Sequence, residues 1–484
     1  MPDTKTNVNV DAQTVGLFTN SAFSDAGLTL YGTMLGYGTY LIDNQGRVVN
    51  AWTSDYTSAG PAYLLANGDL LRTGIAYLNE YSISLHASSG GVIEEYDWAG
   101  NPVWSYEYIG DDYSQHHDVC VMPSGNLLII SWEHKSRAEA MAAGRDSAAF
   151  SSDGLLVDSI VEIQKTGPTS GVKVWEWHAF DHLIQDINPG LSNYGAVADH
   201  PERIDINYTG TPVKGTGGAD PDWTHVNAVD YDAQTDQILI SVHTLNEVWI
   251  IDHSTTTAEA AGHTGGNSSH GGDLLYRFGN PQAAGAGDAS EQLLYGQHDA
   301  QWIAGGLPGA GNILVFDNGW QCPDGEYSHV LELRLPVDEK GNYLKKADGS
   351  FADPEIVWTY PQYDDPDFYS AYVSGAQRLP SGNTLITLGA SGTFEEVDSG
   401  GNVVWKYVNP DTDRGLLNQG QAIPGDGQGS ANNVFRAVWY GYDFAGFLGK
   451  DLTAGRELVS SGSPGSLAFS TSVPLEQQLA VAVG

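Results

Sequence analysis

Three histidines open three similar strands: His117 in HDVCVMPSGNLLII, His225 in HVNAVDYDAQTDQILIS and His298 in HDAQWIAGGLPGAGNILVF. An imidazole with a pKa of about 6.5 can be nucleophile, proton donor or proton acceptor near neutral pH, so three on one site suit group transfer to or from a small anion. A lone histidine more often satisfies a buried polar group. One that recurs at a single repeat position, while its apolar neighbours serve the core, points to a shared site. Aligned on its turn, the same motif puts Gly60 in GPAYLLANGDLLRT and Ser374 in SGAQRLPSGNTLIT at the equivalent position, and a degenerate sixth copy lies in NNVFRAVWYGYD.

These positions need a frame that brings distant segments to one axis. Each copy is an apolar strand, a tight turn and another apolar strand, with Gly in PSGN, LANGD and PGAGN supplying positive φ. A second motif ends in an aromatic strand and alternates with the first: GRVVNAW, GNPVWSY, GVKVWEW, DLLYRF, EIVWTY and GNVVWKY. Units of about four strands in a ring make an all-β fold, a six-bladed β-propeller with loop insertions. Residues 1–484 then form one propeller domain, with 1–20 an N-terminal arm or strand and 454–484 a tail that is either a flexible arm or part of the last blade. Both termini are expected to close the ring, which removes exposed sheet edges. SRAEAMAAGRD (136–146) is expected to be a short helix in an insertion. The segment 253–272 reads as a surface loop with His253, His263 and His270 solvated. His116, His178 and His182 are expected in supporting or surface positions, and Asp118 and Asp299 are candidates for orienting the neighbouring histidines.

Composition narrows the function. Sixty acidic residues against 21 basic ones give a formal charge of −39, which excludes nucleic acid and anionic membrane surfaces as partners, since both need a cationic face. No apolar run is long enough for a transmembrane helix. Cys120 and Cys322 are the only cysteines; their spacing suggests neither a disulfide framework nor a metal site, and Cys120 is expected as a buried small hydrophobe. The start, MPDTKTNVNVDAQTVGLF, lacks a basic and apolar leader pattern, so either a cytoplasmic protein or a mature form is expected.

The stretches QHHDVCVMPSGNLLIISWEHKS, DWTHVNAVDYDAQTDQILISVH, GQHDAQWI with GNILVFDNG, SGAQRLPSGNTLIT and VFRAVWYGYDFAGFLGKDLT resemble the arylsulfotransferases that use no nucleotide sulfate donor. The resemblance spans nearly the whole chain. It implies a six-bladed propeller enzyme that moves a sulfuryl group from a small aryl sulfate donor to a phenolic acceptor through a sulfohistidine, with no cofactor and no metal. By motif position His298 is the implied nucleophile, His117 and His225 the assisting histidines and Asn227 a nearby polar contact. It also implies a periplasmic or extracellular address and leaves the oligomeric state open. One departure stands out: where the family carries a sulfate-binding arginine, this chain has His243 in SVHTLNEVW. A protonated His243 is expected to stand in, with Arg436, Lys135 or Arg137 as further sources of cationic charge. The same residues leave room for a metal-binding or non-catalytic propeller, or for a glycan lyase using Tyr63, Tyr372 or Tyr440.

Overall fold

The computed structural model describes residues 13–76, 90–150, 154–211, 222–425 and 429–459. Six antiparallel sheets carry the described residues, and five of them have a strand–turn–strand motif at the inner edge. The inner strands are Ser58–Leu64, Tyr113–Val121, Val226–Asp232, His298–Trp302, Gly375–Arg378 and Val438–Gly441. The arrangement is the all-β, six-bladed propeller expected.

The sixth copy of the motif is degenerate for a topological reason. Its inner strand Val438–Gly441 pairs with Gly27–Gly32 from the start of the chain, Leu28 opposite Tyr440. Its partner therefore cannot be found downstream in the sequence. At the other seam Gly16–Asn20 adds a fifth strand beside Val403–Val408. Arg456 O accepts from Val48 N and Gly455 N donates to Val48 O, and Leu458 packs with Tyr407 and Trp405. Residues 454–459 are thus docked along a blade rather than a flexible arm; 460–484, and 1–12 of the expected N-terminal arm, lie outside the described residues.

The aromatic motif turns out to be the fourth strand of each blade counted from the axis, and its rings tie neighbouring blades together. Trp52 Nε1 donates to Asp97 O, Trp104 Nε1 to Ser170 O, Trp175 Nε1 to Thr255 Oγ1, Tyr276 OH to Ala352 O and Trp405 Nε1 to Asn44 O. Each ring buries a large apolar face, worth roughly 1.5–3 kcal/mol, while its polar hydrogen finds a partner on the next blade. Between the blades the cores mix aliphatic and aromatic side chains, as where Leu128 and Ile130 meet Ile238, Ile240 and Trp249.

The insertion helix forms as Arg137–Ala142, started by a capping box between Ser136 and Glu139. Cys120 is half-buried against a core cluster, and neither it nor Cys322 is in a disulfide. No helix among the described residues is long and apolar enough to cross a membrane.

Candidate active site

The inner strands do not begin as regular strands. His117 (φ 52°), His225 (46°), Asp299 (54°) and Ser374 (92°) are all left-handed, and the pairing register slips beside them in the blades that carry the histidines. Such a residue costs of order 1–3 kcal/mol and persists where the surrounding structure holds it. The bulge turns the side chain at the strand start off the sheet face and toward the axis. In the second blade the equivalent position must stay small: a Cβ on Gly60 would lie 2.1 Å from His117 O.

Imidazoles from three chain segments meet as a consequence. Ring centroids are 4.6 Å apart for His117 and His225, 5.2 Å for His225 and His243, and 5.3 Å for His243 and His298. Phe435 closes the circuit, 5.8 Å from His117 and 6.4 Å from His298.

Each histidine of the repeat uses Nδ1 for support. Asn318 Nδ2 donates to Ser370 O and Val373 O, which turns its Oδ1 toward His298 Nδ1 at 2.8 Å. An amide oxygen only accepts, so His298 Nδ1 carries the hydrogen and Nε2 the lone pair. The Val373 amide, 3.2 Å from Nε2, agrees with that tautomer. His225 Nδ1 lies 2.5 Å from Asp222 Oδ2. His117 Nδ1 lies 2.6 Å from His116 Nδ1, and His116 Nε2 lies 2.6 Å from Asp158 Oδ1. One imidazole therefore rests on a neutral amide, one on a carboxylate, and one on a carboxylate through a second imidazole.

Burial holds His298 down to about 3, and it holds His117 and His243 well below the usual imidazole value, helped by the surrounding imidazoles. This overturns the expectation that His243 is protonated. The chain's −39 charge does not raise these groups, because desolvation opposes charge locally. His243 is buried, and its Nδ1 has no hydrogen-bond partner.

Arg436, a candidate cation for the substrate, is instead held by carboxylates: its Nη1 lies 2.8 Å from Asp299 Oδ1 and 3.0 Å from Tyr63 OH, and its Nη2 lies 2.8 Å from Asp118 Oδ2. Asp118 and Asp299 accordingly hold this cation rather than orient the histidines. Asn227 is fully buried and donates to Gln297 O at 2.8 Å, so it ties the strand of His225 to the residue before His298 instead of presenting a free donor. Lys135 pairs with Glu133 at 3.2 Å, and Arg137 donates to Ser147 O.

The description Arylsulfotransferase (ASST) matches residues 33–419 as a family model. The chain belongs to that family. An arylsulfate sulfotransferase AssT of Lelliottia amnigena is 27% identical over 273 residues, 51% of this chain and 42% of that one. The AssT of Escherichia coli O6:H1 is 27% identical over 319 residues, 61% of this chain and 48% of its own. The chain thus spans about half the length of the curated relatives it matches. Among solved structures, the Dos1 propeller covers 88% of this chain and 89% of its own at 10% identity, with a TM-score of 0.32.

His116 stands in the supporting position expected, behind His117. Sequence reasoning passed over three other residues of this arylsulfotransferase-family site, Asp158, Asp222 and Asn318, and a signal existed only for Asp222, which opens DWTH. Asp158 and Asn318 arrive from other strands and have no spacing signature. The remaining histidines lie apart. His253 bonds Asp236 and Glu162 rather than water, His178 pairs with Glu133, and His270 is exposed. His182, His263 and Asp273 bring ligand atoms within 4.8 Å of one another, but Arg203 Nε lies 3.1 Å from the same carboxylate oxygen and already neutralises it. Among the described residues His117, His225, His243 and His298 form no such group. The tyrosines weighed for a lyase have other partners: Tyr63 OH donates to Asp118, Tyr440 OH accepts from Leu64 N, and Tyr372 OH accepts from Asn433.

Proposed function

We propose that this protein transfers a sulfuryl group from an aryl sulfate ester to a phenolic acceptor through a sulfohistidine on His298. The observation that carries the reading is the difference in support among the three imidazoles. His298 is backed by the neutral Asn318, which fixes Nε2 as a lone pair, and burial outweighs the pull of that hydrogen bond toward imidazolium; that is what a nucleophile needs. His225 and His117 are backed by Asp222 and, through His116, by Asp158. A carboxylate behind an imidazole favours taking up a proton, which is what an acid–base group needs.

In the first half-reaction His298 Nε2 attacks sulfur, the S–O bond to the aryl group breaks, and its electron pair leaves on the aryl oxygen, which takes a proton from His117 or His225. In the second, a phenol returns its proton to that imidazole and attacks sulfur, and the S–N bond breaks with its pair returning to Nε2. The Val373 amide beside Nε2 is the nearest backbone donor for an oxygen of the group in flight. His243 lies between His225 and His298 and contributes a neutral imidazole to the same wall. The donor is released before the acceptor reacts, so kinetics are ping-pong. A periplasmic or extracellular address, implied by the family, belongs to this proposal.

Rapid quench with ³⁵S-labelled 4-nitrophenyl sulfate tests it. The expected result is acid-labile label on the peptide bearing His298, and a fall in turnover on the order of 10⁴-fold or more for His298→Ala. Turnover with no label on His298 would sink the covalent route.

A further inference from the structure

His116 makes and breaks no bond in the scheme above, yet it is fully buried and in direct contact with His117. Its ring stacks on Trp132 with centroids 4.0 Å apart and planes at 14°. Both of its nitrogens are committed at 2.6 Å, one to Asp158 and one to His117. The other oxygen of Asp158 accepts from the Thr224 hydroxyl and, at 2.9 Å, from the Val226 amide, so hydrogen bonds hold it as an acceptor. A carboxylate accepts, hence His116 Nε2 carries a hydrogen. Between the two Nδ1 atoms one hydrogen must be shared: two lone pairs would repel at that distance, and two N–H groups would clash.

We propose that His116 is a positioning residue that stores the transfer proton, so that Asp158 sets the charge of His117 from one residue away. The proposal rests on the sulfuryl-transfer reading. When the acceptor phenol gives its proton to His117 Nε2, the hydrogen on His117 Nδ1 passes to His116 Nδ1. His117 ends neutral with its hydrogen on Nε2, and His116 ends as an imidazolium against the Asp158 carboxylate. One proton enters, one crosses and none is lost. When an aryl oxide leaves, His117 Nε2–H protonates it and the hydrogen on His116 Nδ1 returns.

The geometry favours this over a resting charge on His117. An imidazolium there would face His225 across 4.6 Å between centroids, and burial among imidazoles already opposes it. One residue back, the charge lies against an anion and outside the funnel. His225 needs no such device, because Asp222 touches it directly.

Asp158→Asn and His116→Gln in the full chain test the relay with a series of aryl sulfates of rising leaving-group pKa. Both variants should lose about 10²-fold in turnover of phenyl sulfate and less than about tenfold in that of 4-nitrophenyl sulfate, whose phenolate leaves without a proton. An equal loss across the series would mean a merely structural role and would overturn the proposal. Proton spectra of protein labelled with ¹⁵N-histidine add a readout that does not depend on turnover: a strongly downfield N–H signal, absent from Asp158→Asn. Turnover without that signal overturns the relay alone. The signal without turnover of any aryl sulfate overturns the sulfuryl-transfer reading alone.

Discussion

His117 and His298 sit at one level of the axis, and Asp118 and Asp299 follow them directly in the chain, with Arg436 between the two carboxylates. The upper tier is buried as imidazoles held neutral by desolvation, the lower as ions in contact. Burial is opposed in both tiers and is met differently. Neutral rings keep lone pairs available for chemistry, whereas the paired ions are held by their attraction to each other. On the sulfuryl-transfer proposal the lower tier is support, and the chemistry belongs to the tier of imidazoles.

Removing the lower tier's cation is the harshest way to break this contrast. Arg436→Met leaves Asp118 and Asp299 facing each other without compensation, and a buried charge stripped of its partner costs about 3–5 kcal/mol. Urea denaturation measures it. A loss under about 1 kcal/mol would place Arg436 with exposed ion pairs and dissolve the distinction between the tiers.

The upper tier was largely legible in the sequence, because a repeat position carries its direction with it: His117, His225 and His298 each stand at the same offset before a turn. Their supports were not. Asp158 lies on the third strand of the blade that carries His116, and Asn318 just past the second strand of the blade that carries His298, so they reach the histidines only once the strands of each blade pair. The charge of His243 was misjudged because composition reports the surface, while the pKa of a buried ring is set by the water it has lost. Phe435 and Arg436 occupy the His–Asp positions of the degenerate copy, and that copy was hard to read since its partner strand, Gly27–Gly32, comes from the opposite end of the chain. The aromatic motif was legible as a repeat but not as a clamp, because the acceptors that these rings bond belong to the next blade.

The tiers also respond to pH in opposite senses. Burial raises Asp299 to about 7 in spite of Arg436, so it binds its proton more tightly folded than unfolded. Its contribution is present at low pH and is lost as pH rises from about 4 to about 7. His298, lowered to about 3, has the reverse effect: stability is full above about 6.5 and is lost as pH falls toward 3. Asp299→Asn imitates the protonated acid at every pH. It should match the parent near pH 4.5 and exceed it by about 2 kcal/mol near pH 7.5 in urea unfolding. A difference that does not change with pH would show that Asp299 is ionised throughout.

The finest probe puts a permanent charge into the neutral tier. His243→Arg places a guanidinium between His225 and His298, at the position where the family resemblance implies one. A sulfate ester carries its negative charge both before and during transfer, so a cation aimed at its non-bridging oxygens stabilises ground state and transition state to nearly equal extents. Such uniform binding lowers KM and leaves kcat in place. The expected outcome is a KM for 4-nitrophenyl sulfate reduced about tenfold, roughly 1.4 kcal/mol, with kcat changed less than about threefold. The longer side chain costs about 1–3 kcal/mol of stability through overpacking. If kcat rises while KM holds, the cation acts on charge that develops only during transfer, and the neutrality of the upper tier is then a limit on the rate of this enzyme rather than on its affinity.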